Sequence, residues 1–214
     1  MSDEDILKNT IRNGKTCSID CNGDFLQIIT RSGTYDHKYD PVYLNIEENC
    51  KIFGDTITIV LDRCNMHFLH NLENYLQYYS REACAQRYKD SIKYMMKKFR
   101  YKTKGKAFEN MMSLSVSKNR NGEKKIEIIP WIHVKMDRWN CFGKNECRDI
   151  FLSSDVPAEI LGAAVRFAFT LCEGQGADIV AKTLFPHGIP NSLDEYLASI
   201  DKNYEKYIIA KPKC

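Results

Sequence analysis

Val42-Tyr43-Leu44-Asn45-Ile46-Glu47-Glu48-Asn49-Cys50-Lys51-Ile52-Phe53-Gly54 opens a stretch, running on to Cys64, that returns 108 residues later as Ile150-Phe151-Leu152-Ser153-Ser154-Asp155-Val156-Pro157-Ala158-Glu159-Ile160-Leu161-Gly162, running on to Cys172. The two copies align without a gap. Four pairs are identical (Leu44/Leu152, Ile52/Ile160, Gly54/Gly162 and Cys64/Cys172) and six more are near-equivalent: Val42/Ile150, Tyr43/Phe151, Glu47/Asp155, Phe53/Leu161, Ile57/Val165 and Ile59/Phe167. Each copy reads as a short apolar strand, an acidic turn and a helix. Four identities alone are within reach of chance; the shared phase of the apolar residues carries the argument. The repeat predicts one domain, 1–214, built from two halves, 16–100 and 101–172, followed by a C-terminal extension, 173–214, without a counterpart.

Working outward, the chain before the first copy reads as a β-meander from Thr16 to Ile46, preceded by a polar segment that predicts a short helix or a loose arm. Phe25 to Ile29 is a strand between the turn residues Cys21-Asn22-Gly23-Asp24 and Arg31-Ser32-Gly33. Within the first copy, Thr56-Ile57-Thr58-Ile59-Val60 favours a strand by propensity, so the helix there rests on the repeat. A Tyr- and Asn-rich connection leads to a helix beginning at Ser80. Tyr88, Ile92, Met95, Met96 and Phe99 fall on one face, and Lys89, Lys93, Lys97 and Arg100 on the other. Gly105 reads as a break. Met112–Ser117 and Lys125–Ile129 alternate apolar and polar residues around Asn119-Arg120-Asn121-Gly122, a hairpin signature.

Trp131 to Met136 extends the second arm or begins a further strand, and Arg148 to Ser153 supplies another. Asp155 is the expected cap of the second repeat helix, with Pro157 tolerated in its first turn. Gly174-Gln175-Gly176 reads as a helix C-cap, Gly188-Ile189-Pro190 as a turn, and Ser192-Leu193-Asp194-Glu195 as a capping box opening a helix whose inner face runs from Tyr196 to Ile208. The fold class is α+β, a mainly antiparallel sheet with helices packed against it.

Composition sets the outer limits. With 214 residues, 43% hydrophobic and 28% charged, the chain can bury an adequate core without disulfides. No apolar run approaches the ~18 residues of a membrane span, and the acidic start Met1-Ser2-Asp3-Glu4-Asp5 is no secretory signal. Without a secretory signal, the nine cysteines, an odd number, are expected to remain reduced thiols in a cytoplasmic protein. Cys64 and Cys172 continue apolar helix faces. The net charge of +3 is unevenly placed: residues 86–106 hold nine Lys/Arg against Asp90, a local +8, which leaves −5 for the rest.

The chain offers little recognisable catalytic chemistry. Phosphate-cradling glycine loops, HExxH, GxSxG and paired CxxC are absent, and neither a catalytic residue nor a cofactor is expected. His133, Cys141 and Cys147 occupy a Trp-rich stretch, but their spacing matches no closed zinc site, so structural or partner-contact roles are preferred and no metal is expected. The basic band with Tyr94, Phe99 and Tyr101 invites a nucleic-acid reading, because cations hold phosphates and rings stack on bases. Phe99, however, belongs to the apolar helix face, and a solvated surface or an acidic protein partner accounts for the rest.

Three ordered motifs then suggest a family. Tyr101-Lys102-Thr103-Lys104-Gly105-Lys106-Ala107-Phe108-Glu109-Asn110-Met111-Met112, Ile128-Ile129-Pro130-Trp131-Ile132-His133-Val134-Lys135 continuing to Trp139, and Pro157-Ala158-Glu159-Ile160-Leu161-Gly162 continuing to Cys172 resemble a family of bacterial contact-dependent growth inhibition immunity proteins. The resemblance covers 101–172 well, 16–64 weakly and 173–214 hardly at all. It implies a non-enzymatic cytosolic antitoxin that binds the C-terminal nuclease domain of a toxin delivered by a neighbouring cell. It also implies an α/β protein whose antiparallel sheet a toxin hairpin extends in at least one family member. On this reading the toxin-binding candidates are Trp131, His133, Trp139, Cys141, Phe142 and Lys144. The motif residues Tyr101, Lys102, Thr103, Asn110, Pro130, Glu159 and Gly162 serve either contact or fold. The alternative is a nucleic-acid-binding or processing protein using the band 86–106.

Overall fold

The computed structural model describes residues 14–32, 35–36, 41–64, 80–135, 138–140, 142 and 148–210. The expected N-terminal helix or arm and the connection at 65–79 lie outside them. The frame is an antiparallel sheet made of two hairpins side by side. β1 (Lys15–Cys21) pairs with β2 (Leu26–Ser32), and β5 (Met112–Lys118) pairs with β6 (Lys125–Pro130). The turn between β5 and β6 holds Asn119 at φ 59°, a left-handed conformation that Asn accepts more readily than most side chains. The hairpins join through β1 and β5, with Ser18 opposite Ser115. β4 (Val42–Leu44) pairs along the outside of β2, and β9 (Ile150–Ser153) along the outside of β6. β3 (Tyr35–Asp36) shares the β2 flank further along. A second, smaller sheet contains β7 (Ile132–Lys135), β8 (Arg138–Asn140) and β10 (Glu173–Gly174).

Six α-helices occur among the described residues: α1 (Cys50–Asp62), α2 (Arg81–Lys98), α3 (Lys104–Phe108), α4 (Ala158–Ala168), α5 (Ala177–Leu184) and α6 (Leu193–Ile200). Both copies of the repeat are therefore strand then helix, β4–α1 and β9–α4. α1 forms against its β-branched propensity for identifiable reasons. Asn49 caps it, its side chain accepting from the Ile52 N–H at 2.9 Å, while the Thr56 and Thr58 hydroxyls are merely satisfied within the helix by donating to the carbonyls of Ile52 and Gly54 at 2.8 and 3.0 Å. Phe53, Ile57, Val60 and Leu61 are buried. Tertiary burial outweighs a propensity deficit of a few tenths of a kcal/mol per residue.

Strand alternation sorts the sheet into two chemically different faces. Cys17, Ile19, Cys21, Leu26, Ile28, Met112, Leu114, Val116, Ile126, Ile128, Ile150 and Leu152 share one core with residues of α1 and α4. Ser18, Asp20, Gln27, Arg31, Ser113, Ser115, Ser117 and Glu127 alternate with them and occupy the opposite face. Phe25, Met95, Ala107, Phe108 and Met111 form a smaller cluster, joined by Phe99, Tyr101 and Trp139.

Five local expectations are corrected. The repeat glycines predict a close approach of helix to sheet; instead they let the two repeat helices touch. A Cβ on Gly54 would sit 2.6 Å from the carbonyl carbon of Ala158, and one on Gly162 would sit 2.8 Å from that of Cys50. Asp155 does not cap α4, whose N-cap is Pro157 without a side-chain bond; Asp155 instead accepts from the Ser153 hydroxyl within the turn. Gly105 lies inside α3 rather than breaking the chain, because Thr103 caps that helix by accepting from the Lys106 N–H at 3.2 Å. Glu173–Gly174 is a strand parallel to β7, and Gly176 precedes α5, so Gly174-Gln175-Gly176 is no C-cap. The last helix ends at Ile200, where Asp201 turns extended. The chain continues as a 3-10 turn (Tyr204–Tyr207), and Ile208 bridges Leu152 on the outside of β9.

Candidate functional site

The polar sheet face lines a cavity whose roof and walls are apolar. α2 leans over β1 and β2 through Ile92 and Met95, Phe108 closes one side, and Trp131, between β6 and β7, closes another together with Trp139 of β8. Between them lies a cavity of about 320 Å³ with a hydroxyl, carboxylate and guanidinium floor. Ser113 donates to Asp20 at 2.7 Å. The Ser115 hydroxyl accepts from the Trp131 indole N–H at 3.0 Å and from Arg31 at 3.4 Å, and Gln27 donates to the Tyr43 hydroxyl at 3.0 Å. Such a floor offers donors and acceptors to an incoming polar side chain, while two indoles supply apolar walls.

Trp139 is held from three directions: its N–H donates to the Met111 carbonyl at 3.3 Å, its ring lies 6.4 Å from that of Phe108, and it stacks on His133 at 5.7 Å. His133 is buried behind it, its Nδ1 3.4 Å from the Gln175 carbonyl oxygen. That position is fixed by β10, since the close approach of Gly174 to the His133 backbone leaves no room for a Cβ. Trp131 and Trp139 thus share the cavity, whereas His133 supports Trp139. Phe142 is half-buried under the Arg148 guanidinium, 4.3 Å from its ring centre. Cys141 and Lys144 lie outside the described residues. β8 ends the smaller sheet, so among the described residues its outer backbone edge has no strand partner.

Most motif residues do structural work that the residues display directly. The Tyr101 hydroxyl donates to Asp24 and accepts from Asn22 at 2.6 Å, tying the end of α2 to the β1–β2 turn. Burial and the Asp24 bond both push its phenol up. Thr103 caps α3, Asn110 packs against Gly176, Pro130 is buried opposite Leu114, and Gly162 lies at the helix crossing. Lys102 and Glu159 are exposed. Part of the basic band is consumed internally: Lys98 lies over Tyr43 at 4.5 Å, Lys104 over Tyr88 at 4.9 Å, and Lys106 pairs with Glu109 at 2.8 Å. Among the described residues no three His, Cys, Asp or Glu side chains gather as metal ligands, and no helix is long and apolar enough to cross a membrane.

The cavity floor is the part that sequence reasoning missed. Ser18, Asp20, Gln27, Arg31, Ser113 and Ser115 carry no motif. Their signal is the period-two alternation of β1, β2 and β5, which puts these six residues on one face.

Comparison with known proteins places this architecture. The family model CdiI, CDI immunity protein, matches residues 15–172. The chain belongs to the CDI immunity protein family. A curated relative, immunity protein CdiI-YPIII of Yersinia pseudotuberculosis serotype O:3 (strain YPIII), is 25% identical over 179 residues, covering 78% of this chain and 99% of the relative. Among solved structures, a protein of unknown function from Neisseria meningitidis has a TM-score of 0.64 at 25% identity, covering 75% of this chain and 98% of its own. A toxin and immunity complex, CdiA-CT/CdiI, from Yersinia pseudotuberculosis has a TM-score of 0.62 at 22% identity, covering 74% and 97%. The CDI immunity protein described here thus carries a segment beyond the family match, from residue 173 on, which holds β10, α5 and α6.

Proposed function

We propose that this CDI immunity protein binds and blocks the C-terminal nuclease domain of a cognate contact-dependent growth inhibition toxin. It acts in the cytoplasm of the cell that makes it, as an inhibitor without turnover. The family match over 15–172 carries the reading; the nuclease assignment rests on the motif resemblance. The contact surface combines the outer edge of β8 with the Trp131–Trp139 mouth of the cavity and the neighbouring Phe142. Backbone pairing along an open edge supplies affinity that is indifferent to sequence, and a pocket beside it selects one toxin among many. The cavity's mixed floor suits that second role, because a side chain that leaves Asp20, Ser113 or Ser115 badly paired on entry is rejected.

Co-expression with the toxin domain encoded beside this chain tests the reading. Cells carrying the immunity protein should survive induction of the toxin, and Trp139→Ala should lose protection while Trp139→Phe, which keeps a ring against Phe108 and His133, retains part of it. Killing despite soluble, folded immunity protein would refute the function. Full protection by Trp139→Ala would refute only the surface.

A further inference from the structure

The end of α2 places an unusual residue type in a left-handed position. The chain leaves the helix through a motif in which the Tyr101 N–H donates to the Met96 carbonyl at 2.9 Å and the Phe99 N–H to the Met95 carbonyl at 3.0 Å. The residue between them must be left-handed, and glycine normally fills that position. Here it is Arg100, at φ 59°. A side chain in that region costs roughly 1–2 kcal/mol by steric crowding.

The arginine stands beside a cleft of about 510 Å³. One wall is the Asn22-Gly23-Asp24 turn with Tyr101, Lys102, Lys106 and Glu109; the other is α5, contributing Ile179 and Thr183. Ile179 is 51% exposed, an apolar side chain left on the rim. Lys106 already pairs with Glu109 and Asp24 with Tyr101, whereas Arg100 and Lys102 are exposed and have no ion-pair or hydrogen-bond partner among the described residues. The cleft thus joins two exposed cations to an apolar rim, and one of them is an arginine at a position where a helix end ordinarily has glycine.

We propose that this cleft is a second docking site, receiving an acidic segment of the toxin domain whose carboxylates meet Arg100 and Lys102 while an apolar neighbour packs on Ile179. The proposal rests on the reading of this chain as a toxin-binding protein. A polynucleotide suits the cleft less well, because Asp24 and Glu109 stand among the cations and would face a continuous run of phosphates. A protein segment presents isolated carboxylates beside neutral and donor groups, which a mixed wall accommodates.

The strain itself provides the test. Arg100→Gly removes the charge and relieves the backbone, so the full-length variant should unfold at an equal or higher midpoint yet bind the cognate toxin domain about tenfold more weakly, the opposite of what structural damage produces. Arg100→Gly with Lys102→Gln should weaken binding further and flatten the dependence of affinity on salt. Ile179→Asp, at an exposed position, should weaken binding by repelling the same segment. Affinity within about twofold of the unaltered protein in all three variants, with unchanged salt dependence, would overturn the site. Binding of a short single-stranded RNA that the double variant loses would overturn it too, by giving the cleft to nucleic acid. An unaltered protein that fails to bind the toxin domain at all would sink the functional reading, and this site with it.

Discussion

Gly54 and Gly162 are the two residues where one added carbon matters most, because each faces the backbone of the opposite repeat helix: Gly54 meets Ala158, Gly162 meets Cys50, and 50 and 158 are themselves repeat equivalents. Gly54→Ala and Gly162→Ala should each destabilise by at least ~3 kcal/mol, at or beyond the upper end of ordinary overpacking, since the obstacle is backbone rather than a movable side chain. Urea unfolding measures it; a loss below ~1 kcal/mol in either variant would show that the helices can separate without penalty. The buried thiols make a second residue-level claim. Among the described residues Cys17, Cys21, Cys64 and Cys172 are buried, whereas Cys50 and Cys84 are half-buried, so of these six thiols a reagent near neutral pH should modify the latter two first. Burial pushes the Cys21 and Cys172 thiols from 9.0 up to about 12. A raised folded value means that the unfolded thiol ionises first. The stabilisation is therefore complete below about pH 9 and is lost as pH rises toward about 12. Replacing Cys172 by Ala should flatten that alkaline decline in a melting series; an unchanged slope would assign the decline to other groups.

At the level of elements, the repeat was legible because its apolar phase survives even where its identities do not, and it correctly overrode the strand propensity of Thr56–Val60. The β5–β6 hairpin was legible from alternation and from Asn119-Arg120-Asn121-Gly122. What escaped were short elements decided by capping or long-range pairing. α3 is five residues held by Thr103, β10 exists only because β7 lies beside it, and α5 opens behind a left-handed Gly176. The helix expected to reach Ile208 shows the same limit: Tyr204 is buried as its periodicity implies, but an Asx turn, the Asn203 N–H donating to Asp201 at 2.8 Å, redirects the chain. The redirected segment caps the β9 edge, with Ile208 opposite Leu152 and the Ile209 N–H donating to the Phe151 carbonyl at 3.0 Å. Ile209→Pro removes that donor and should cost ~1 kcal/mol while accelerating amide exchange in residues 150–153. Unchanged exchange there would mean that the bridge contributes nothing to the edge.

Across the whole molecule, a twin-helix core occupies one sheet face and leaves the other polar, and that division ties fold to function: the apolar face fixes the frame, and the opposite face is left to line a cavity. We propose that the halves 16–100 and 101–172 are copies of one unit, since β4-β2-β1-β5-β6-β9 reads as the same order from either end and the glycine contacts are reciprocal. The cavity was only partly legible. Trp131 and Trp139 were identified through the motif resemblance, but the Ser, Asp, Gln and Arg floor comes from strands far apart in sequence, and only their pairing register assembles it. Titration calorimetry of the purified chain with the cognate toxin C-terminal domain, alongside an assay of the toxin's activity, nuclease on the reading proposed above, tests the central claim most directly. The account predicts a one-to-one complex in which toxin activity is abolished and no heat of substrate turnover arises from the immunity protein itself; the absence of binding by a folded chain, with nuclease activity undiminished at stoichiometric excess, would contradict it.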